Sequence, residues 1–114
     1  MATQYEILGN ILLVSFQGRL NSANAAQIEA EILLHINQGV NQLLLDLNEL
    51  EYISSAGLRV VLVAAKRLKQ SAGLMVLCGI RGSIHEIFEV SGFLSILSVT
   101  KTRSEALERF NQTA

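Results

Sequence analysis

The run Leu43-Leu44-Leu45-Asp46-Leu47 constrains the fold more than any other stretch of the chain. A short, continuous apolar run of this kind belongs to a β-strand that is covered on both of its faces. Such a strand cannot stand alone, so the rest of the chain must supply neighbouring strands and the layers that cover them.

The flanking segments read as those parts. Gln4 to Leu8 is short and extended, and Gly9-Asn10 suits a two-residue hairpin loop because both residue types tolerate positive φ. Ile11 to Phe16, rich in β-formers and ending at Gly18, forms the second strand, antiparallel to the first. Ser22 or Asn21 can cap a helix that runs to about Asn37 and stops at Gly39, with Ala25, Ile28, Ile32 and Ile36 on its inward face. A second helix is expected over about Ala56 to Gln70, packing through Leu58, Val61, Leu62, Ala65 and Leu68, and leaving Val63 among Arg59, Lys66, Arg67 and Gln70. A Ser71-Ala72-Gly73 turn leads to the strand Leu74 to Cys78. Ser83-Ile84-His85-Glu86 and Thr102-Arg103-Ser104-Glu105 have the form of capping boxes. They predict a short third helix ending near Gly92 and a final helix, with Leu94 to Val99 as a short edge strand between them. With no proline in the chain, glycines and capping residues supply all the punctuation. The expected fold is α/β: one domain over residues 1–114, a mixed four- to five-stranded sheet with about four helices packed on it.

Composition narrows the function. Half of the 114 residues are hydrophobic and 17% are charged, enough for a core without disulfides or metal. Nine basic residues against ten acidic ones, with no basic block, argue against direct contact with nucleic acid. Cys78, the one cysteine, sits in an apolar run and reads as a buried thiol. No leader pattern opens the chain and no apolar run approaches the roughly 20 residues of a membrane span, so a cytoplasmic protein is expected. Catalytic groups are sparse. His35 falls beside the buried stripe of the first helix, and His85 in the first turn of the third. Asp46 lies near the end of its strand, with Glu49 and Glu51 in the loop after it, suited to ordering that loop or to shaping a site around Ser55. There is no GxGxxG or P-loop lysine. Neither an enzyme nor a cofactor is expected.

Asp46 to Val60 carries more information. It passes from a buried strand through a polar segment to a helix start with two serines and a glycine. Such a corner offers unpaired backbone N–H groups and the positive end of a helix dipole, which receive an attached phosphate well. Gly57, lacking Cβ, would let another backbone come close. A serine there is also simply a favoured N-cap.

The run Tyr52-Ile53-Ser54-Ser55-Ala56-Gly57-Leu58-Arg59 resembles the signature of the STAS domain family, and specifically its bacterial anti-sigma-factor antagonists. Gly18-Arg19-Leu20, Asp46-Leu47, Ser91-Gly92-Phe93 and the order of elements extend the resemblance over residues 4 to 111. The family pattern is typically Asp-Ser-Ser/Thr-Gly-Leu, and the serine after the aspartate is phosphorylated by an anti-sigma factor that is itself a kinase. With Gly57 as anchor, that serine is Ser55, with Ser54 as the alternative acceptor. Ser54 replaces the family aspartate, and Asn21 replaces an aspartate frequent after the Gly-x-Leu. The resemblance implies a partner switch, monomeric when free, that needs no cofactor. It binds an anti-sigma factor when unphosphorylated, releases it when phosphorylated, and is reset by a serine phosphatase. Asn21, Ser54, Ser55, Ala56, Gly57, Arg59, Val60 and Val63 are the expected contact residues. Two other readings remain open: a STAS module serving another client, such as a sensor kinase or phosphatase pathway, or a domain that holds a lipid or nucleotide beside the second helix.

Overall fold

The hairpin forms as expected, and only one of its loop residues has the unusual backbone. A computed structural model describes residues 2–112. In it, β1 (Ala2–Leu8) turns through Gly9-Asn10 and pairs antiparallel with β2 (Ile11–Leu20), with Leu8 opposite Ile11. Gly9 has φ +63° while Asn10 keeps negative φ. Glycine first is the arrangement of a type II′ loop, whose twist matches the flanking strands.

From β2 onward every connection is a parallel crossover. The helix α1 (Ala25–Asn37) leads to β3 (Gln42–Ile53), and α2 (Ser55–Gln70) leads to β4 (Leu74–Cys78). Then α3 (Gly82–Val90) and a 3-10 turn over Phe93–Ser95 lead to β5 (Ser98–Thr100). The sheet order is β1-β2-β3-β4-β5, so each crossover steps one strand in the same direction. Right-handed crossovers taken in one direction must lie on one face. Accordingly α1, α2 and α3 bury Leu43, Leu45 and Leu47 of β3 in a single core. The last helix, α4 (Arg103–Gln112), covers the opposite face, where Ala106 and Phe110 meet Leu13, Leu44 and Val76. The apolar run of β3 is covered on both faces because adjacent leucines face different helices. No helix of the described residues is long and apolar enough to cross a membrane.

The structure corrects several boundaries. β3 does not end near Leu47 but continues to Ile53, so Glu49 and Glu51 are strand residues and Asp46 lies in mid-strand. β2 likewise runs on through Gly18, at φ +90°, to Leu20. In this extension β3 has an extra residue at two places: Ser15 faces Asp46 but Gln17 faces Glu49, and Gly18 faces Leu50 but Arg19 faces Tyr52. These irregularities replace alternation by a spacing of three, which sends Leu47, Leu50 and Ile53 all into the core.

The caps differ too. α1 starts at Ala25 with Asn24 at its N-cap, not with Ser22 or Asn21, although its inward face is the expected one. α3 starts at Gly82, so Ser83 already lies inside the helix and no capping box forms there. Thr102 does cap α4: its Oγ1 accepts from Glu105 N–H at 3.1 Å and donates to the Glu105 carboxylate at 3.2 Å. The expected strand Leu94 to Val99 reduces to Ser98–Thr100, its first half being taken by the 3-10 turn.

α2 is rotated from the expected register. Its buried residues are Gly57, Val60, Val61, Ala64 and Leu68, while Leu58, Leu62 and Ala65 are half-buried. At 100° per residue the buried arc has moved by about 80°. The cause is Gly57. A Cβ there would lie 2.7 Å from Ile53 Cγ1, 2.8 Å from Leu20 Cγ and 2.9 Å from the Leu20 carbonyl oxygen. The helix approaches the sheet along its glycine, and the bulkier Leu58 sits on the shoulder.

Candidate functional site

Parallel strands all end on the same edge of the sheet, and here the helices that follow begin there as well. In open α/β sheets ligands bind outside this edge, at the point where the strand order reverses; here the order does not reverse, and the edge is built from three successive strand-to-helix corners. Leu20, Ile53 and Cys78 end β2, β3 and β4, and the first turns of α1, α2 and α3 follow each of them.

The β3–α2 corner is tied down by Ser54. Its backbone N–H donates to the Leu20 carbonyl at 2.9 Å, joining the ends of β2 and β3. Its Oγ accepts from the Gly57 N–H at 3.3 Å, the N-cap bond of α2. Ser54 is half-buried and its hydroxyl is engaged, whereas Ser55, the first residue of α2, is exposed. The two adjacent serines therefore divide the work: one closes the helix, and the other faces solvent at the positive end of the helix dipole.

The neighbouring β2–α1 corner is built by asparagines. Asn21 Oδ1 accepts from Ala23 N–H at 3.0 Å, and Asn21 N–H donates to Asn24 Oδ1 at 3.0 Å. Asn24 Nδ2 donates to the Arg19 carbonyl at 2.8 Å. Asn21 thus shapes a turn, as an Asx residue does, and needs no charge to do so. Arg19 and Tyr52, each one residue before its strand's end, form a cation–π pair with 4.3 Å from the guanidinium carbon to the ring centroid. Between α1 and α2 lies a shallow hollow of about 240 Å³, bordered by Ser22, Ala26 and Glu29 on one side and Ala56, Arg59 and Val60 on the other. Arg59 Nε stands 3.8 Å from Glu29 Oε1 across it.

The residues expected to touch a partner do not all reach the surface. Ser55 and Arg59 are exposed, and Asn21, Ser54 and Ala56 are half-buried. Gly57 is buried against Leu20 and Ile53, so its missing Cβ serves the chain's own packing and not a visiting backbone. Val60 is 2% exposed and belongs to the core. Val63 is half-buried on the line of α2 that also carries Arg59 and Arg67, whose partners Glu29 and Asn37 are on α1. It does not stand free among charges. Sequence reasoning missed the Arg19–Tyr52 pair and Glu29; the signal for the pair was that Gly18-Arg19-Leu20 and Tyr52-Ile53 end adjacent strands.

The other titratable residues make structural contacts elsewhere. Asp46 faces α4: its Oδ2 accepts from Arg103 Nη2 at 2.6 Å and Nε at 3.1 Å, and its Oδ1 accepts from Asn48 N–H at 3.0 Å. It orders strand and helix, and does not shape the surroundings of Ser55. Burial, with the Asp46 carboxylate close by, pushes the Cys78 thiol up to about 12. His35 stacks on Tyr5 at 5.4 Å, and the Tyr5 hydroxyl donates to Glu31 at 2.6 Å. His85 lies 3.7 Å from Glu89 on the exposed side of α3. Among the described residues no three His, Cys, Asp or Glu side chains gather as metal ligands.

Comparison with known proteins gives a consistent result. The profile of the STAS domain matches residues 2–106. A Bordetella bronchiseptica protein described as an anti-sigma factor antagonist, BtrV, is 48% identical over 103 residues, covering 90% of this chain and 89% of its own. Among solved structures, a Thermotoga maritima chain described in the same way superposes with a TM-score of 0.91 at 24% identity, covering 94% of this chain and 92% of its own. The Bacillus cell fate determinant SpoIIAA in its phosphorylated form superposes with a TM-score of 0.78 at 25% identity, covering 96% and 99%.

Proposed function

The chain belongs to the STAS domain family, among the anti-sigma-factor antagonists, and we propose that it is a partner switch controlled by phosphorylation of Ser55. Unphosphorylated, it docks on an anti-sigma factor in the cytoplasm through the sheet edge around Ser55, and the sigma factor goes free. The anti-sigma factor is also the kinase. It passes the γ-phosphoryl group of ATP to Ser55 Oγ as the hydroxyl proton leaves, and ADP departs. The modified chain then lets go until a serine phosphatase hydrolyses the phosphoester. The antagonist contributes a shape and a hydroxyl, and carries out no catalysis of its own.

The observation that supports Ser55 over Ser54 is the division of labour at the corner: the Ser54 hydroxyl is committed to Gly57 N–H and half-buried, and Ser55 is exposed. Phosphate on Ser54 would disturb the bond from Gly57 N–H and place a dianion in a half-buried corner. Phosphate on Ser55 extends into solvent from a helix start that tolerates an anion, so the fold survives modification. A partner seated against the neutral corner would instead meet a charge of about −1.5 to −2 with its hydration shell. Ala56 and Arg59 follow the acceptor on α2, and Asn21 lies at the β2–α1 corner that the Ser54–Leu20 hydrogen bond joins to it; these residues form the rest of the proposed contact surface.

Affinity capture of the chain from its native cell, followed by phosphosite mapping, tests this reading. A co-purified serine kinase and phosphate on Ser55, absent in Ser55→Ala, are expected. Phosphate recovered on Ser54 alone overturns it.

A further inference from the structure

Arg59 lies one helical turn after Ser55, so the two side chains share a face of α2. Its present partner holds it weakly. The contact with Glu29 is a single 3.8 Å approach, with the Arg59 side chain 73% exposed and that of Glu29 25% exposed. A pair at that separation with its arginine mostly in solvent contributes little, and a single approach through Nε leaves the other guanidinium donors without a carboxylate partner in this contact. A phosphoserine at position 55 offers a larger charge and three strong acceptors within reach of that fork.

We propose that Arg59 is a second moving part of the switch: on phosphorylation it leaves Glu29 and pairs with the phosphate on Ser55. This rests on Ser55 being the acceptor. The exchange changes the surface at two points, not one. The phosphate, partly neutralised by Arg59, occupies the start of α2. Glu29, across the hollow bordered by Ser22, Ala26 and Ala56, loses its counter-charge. A neutral, zwitterionic hollow becomes an acidic one, so a partner that reaches past Ser55 into the α1–α2 seam is repelled there as well. The exchange also stabilises the dianion in the free protein, which keeps the modified state from being held by the partner's own cations alone.

The test installs phosphoserine at position 55 during translation, by codon suppression in the full chain, so that it does not depend on any kinase choosing this serine. The second ionisation of the phosphate is followed by 31P NMR in this protein and in its Arg59→Gln variant, with the Arg59 Nε–H resonance followed in the first. Pairing with Arg59 favours the dianion, so the phosphate pKa is expected to rise by a few tenths of a unit in Arg59→Gln. Glu29→Gln, which frees Arg59, is expected to lower it slightly. The Arg59 Nε–H signal is expected to shift between the unmodified and the phosphorylated protein. Equal phosphate pKa values with and without Arg59, or an Nε–H signal indifferent to the phosphate, would overturn the proposal while leaving the choice of Ser55 untouched. A kinase that ignores Ser55 would refute the acceptor assignment and leave the measured pairing standing.

Discussion

At the scale of the residue, the proposed split between a structural Ser54 and a regulated Ser55 can be tested by substitution. Ser54→Ala removes the N-cap bond to Gly57 N–H and is expected to cost about 1 kcal/mol in urea unfolding. Ser55→Ala removes an exposed hydroxyl and should leave the unfolding midpoint nearly unchanged. Equal losses from the two would mean that both serines are structural. Cys78 and Tyr5 give a second prediction, in pH. The folded thiol ionises at about 12 against an ordinary 9.0, and the Tyr5 phenol is raised in the same sense by burial and by its bond to Glu31. Above about pH 9 the unfolded chain gives up a thiol proton that the folded chain retains. The stability these groups contribute is therefore complete below that pH and falls as pH rises through the alkaline range. Thermal midpoints should decline above about pH 9 and decline less in Cys78→Ala; a midpoint flat to about pH 11 would contradict this.

At the scale of the element, spacing was legible where the backbone is regular and misleading where it is not. The inward face of α1 could be read directly, because Ala25, Ile28, Ile32 and Ile36 keep the helical period. The second half of β3 could not. Its extra residues put Leu47, Leu50 and Ile53 at a spacing of three, with exposed residues between them, so the segment shows neither the alternation nor the continuous apolar run by which a strand is read. The rotation of α2 was hidden for a different reason. Apolar side chains outnumber the core positions on this helix, and what selects among them is the close approach at Gly57, which leaves no room for a Cβ and shows only in the packed structure. A paired substitution checks the observed register. Leu68→Ala, at a side chain 1% exposed, should cost about 2–5 kcal/mol, and Leu62→Ala, half-buried and outside the core stripe, well under half as much. The opposite order would restore the register expected from the helical wheel.

At the scale of the whole molecule, the topology places the proposed contact surface on one edge of a small domain. Crossovers that all step in one direction gather the strand ends and the helix starts on one edge, while α4 covers the far face of the sheet. The order of elements and the position of Ser55 were readable from the chain because capping residues and apolar runs are local signals. The Arg59–Glu29 contact and the Arg19–Tyr52 pair were not, since each joins elements far apart in sequence. Under the proposed function, charge on Ser55 of this intact fold controls association. Its most direct test is the dissociation constant of the anti-sigma kinase captured from the native cell, measured by calorimetry against the unmodified chain and against the chain carrying phosphoserine at position 55. At least a tenfold weaker complex is expected for the phosphorylated chain, a loss equivalent to about 1.4 kcal/mol, with circular dichroism unchanged. Undiminished affinity in a phosphorylated chain that remains folded would contradict it.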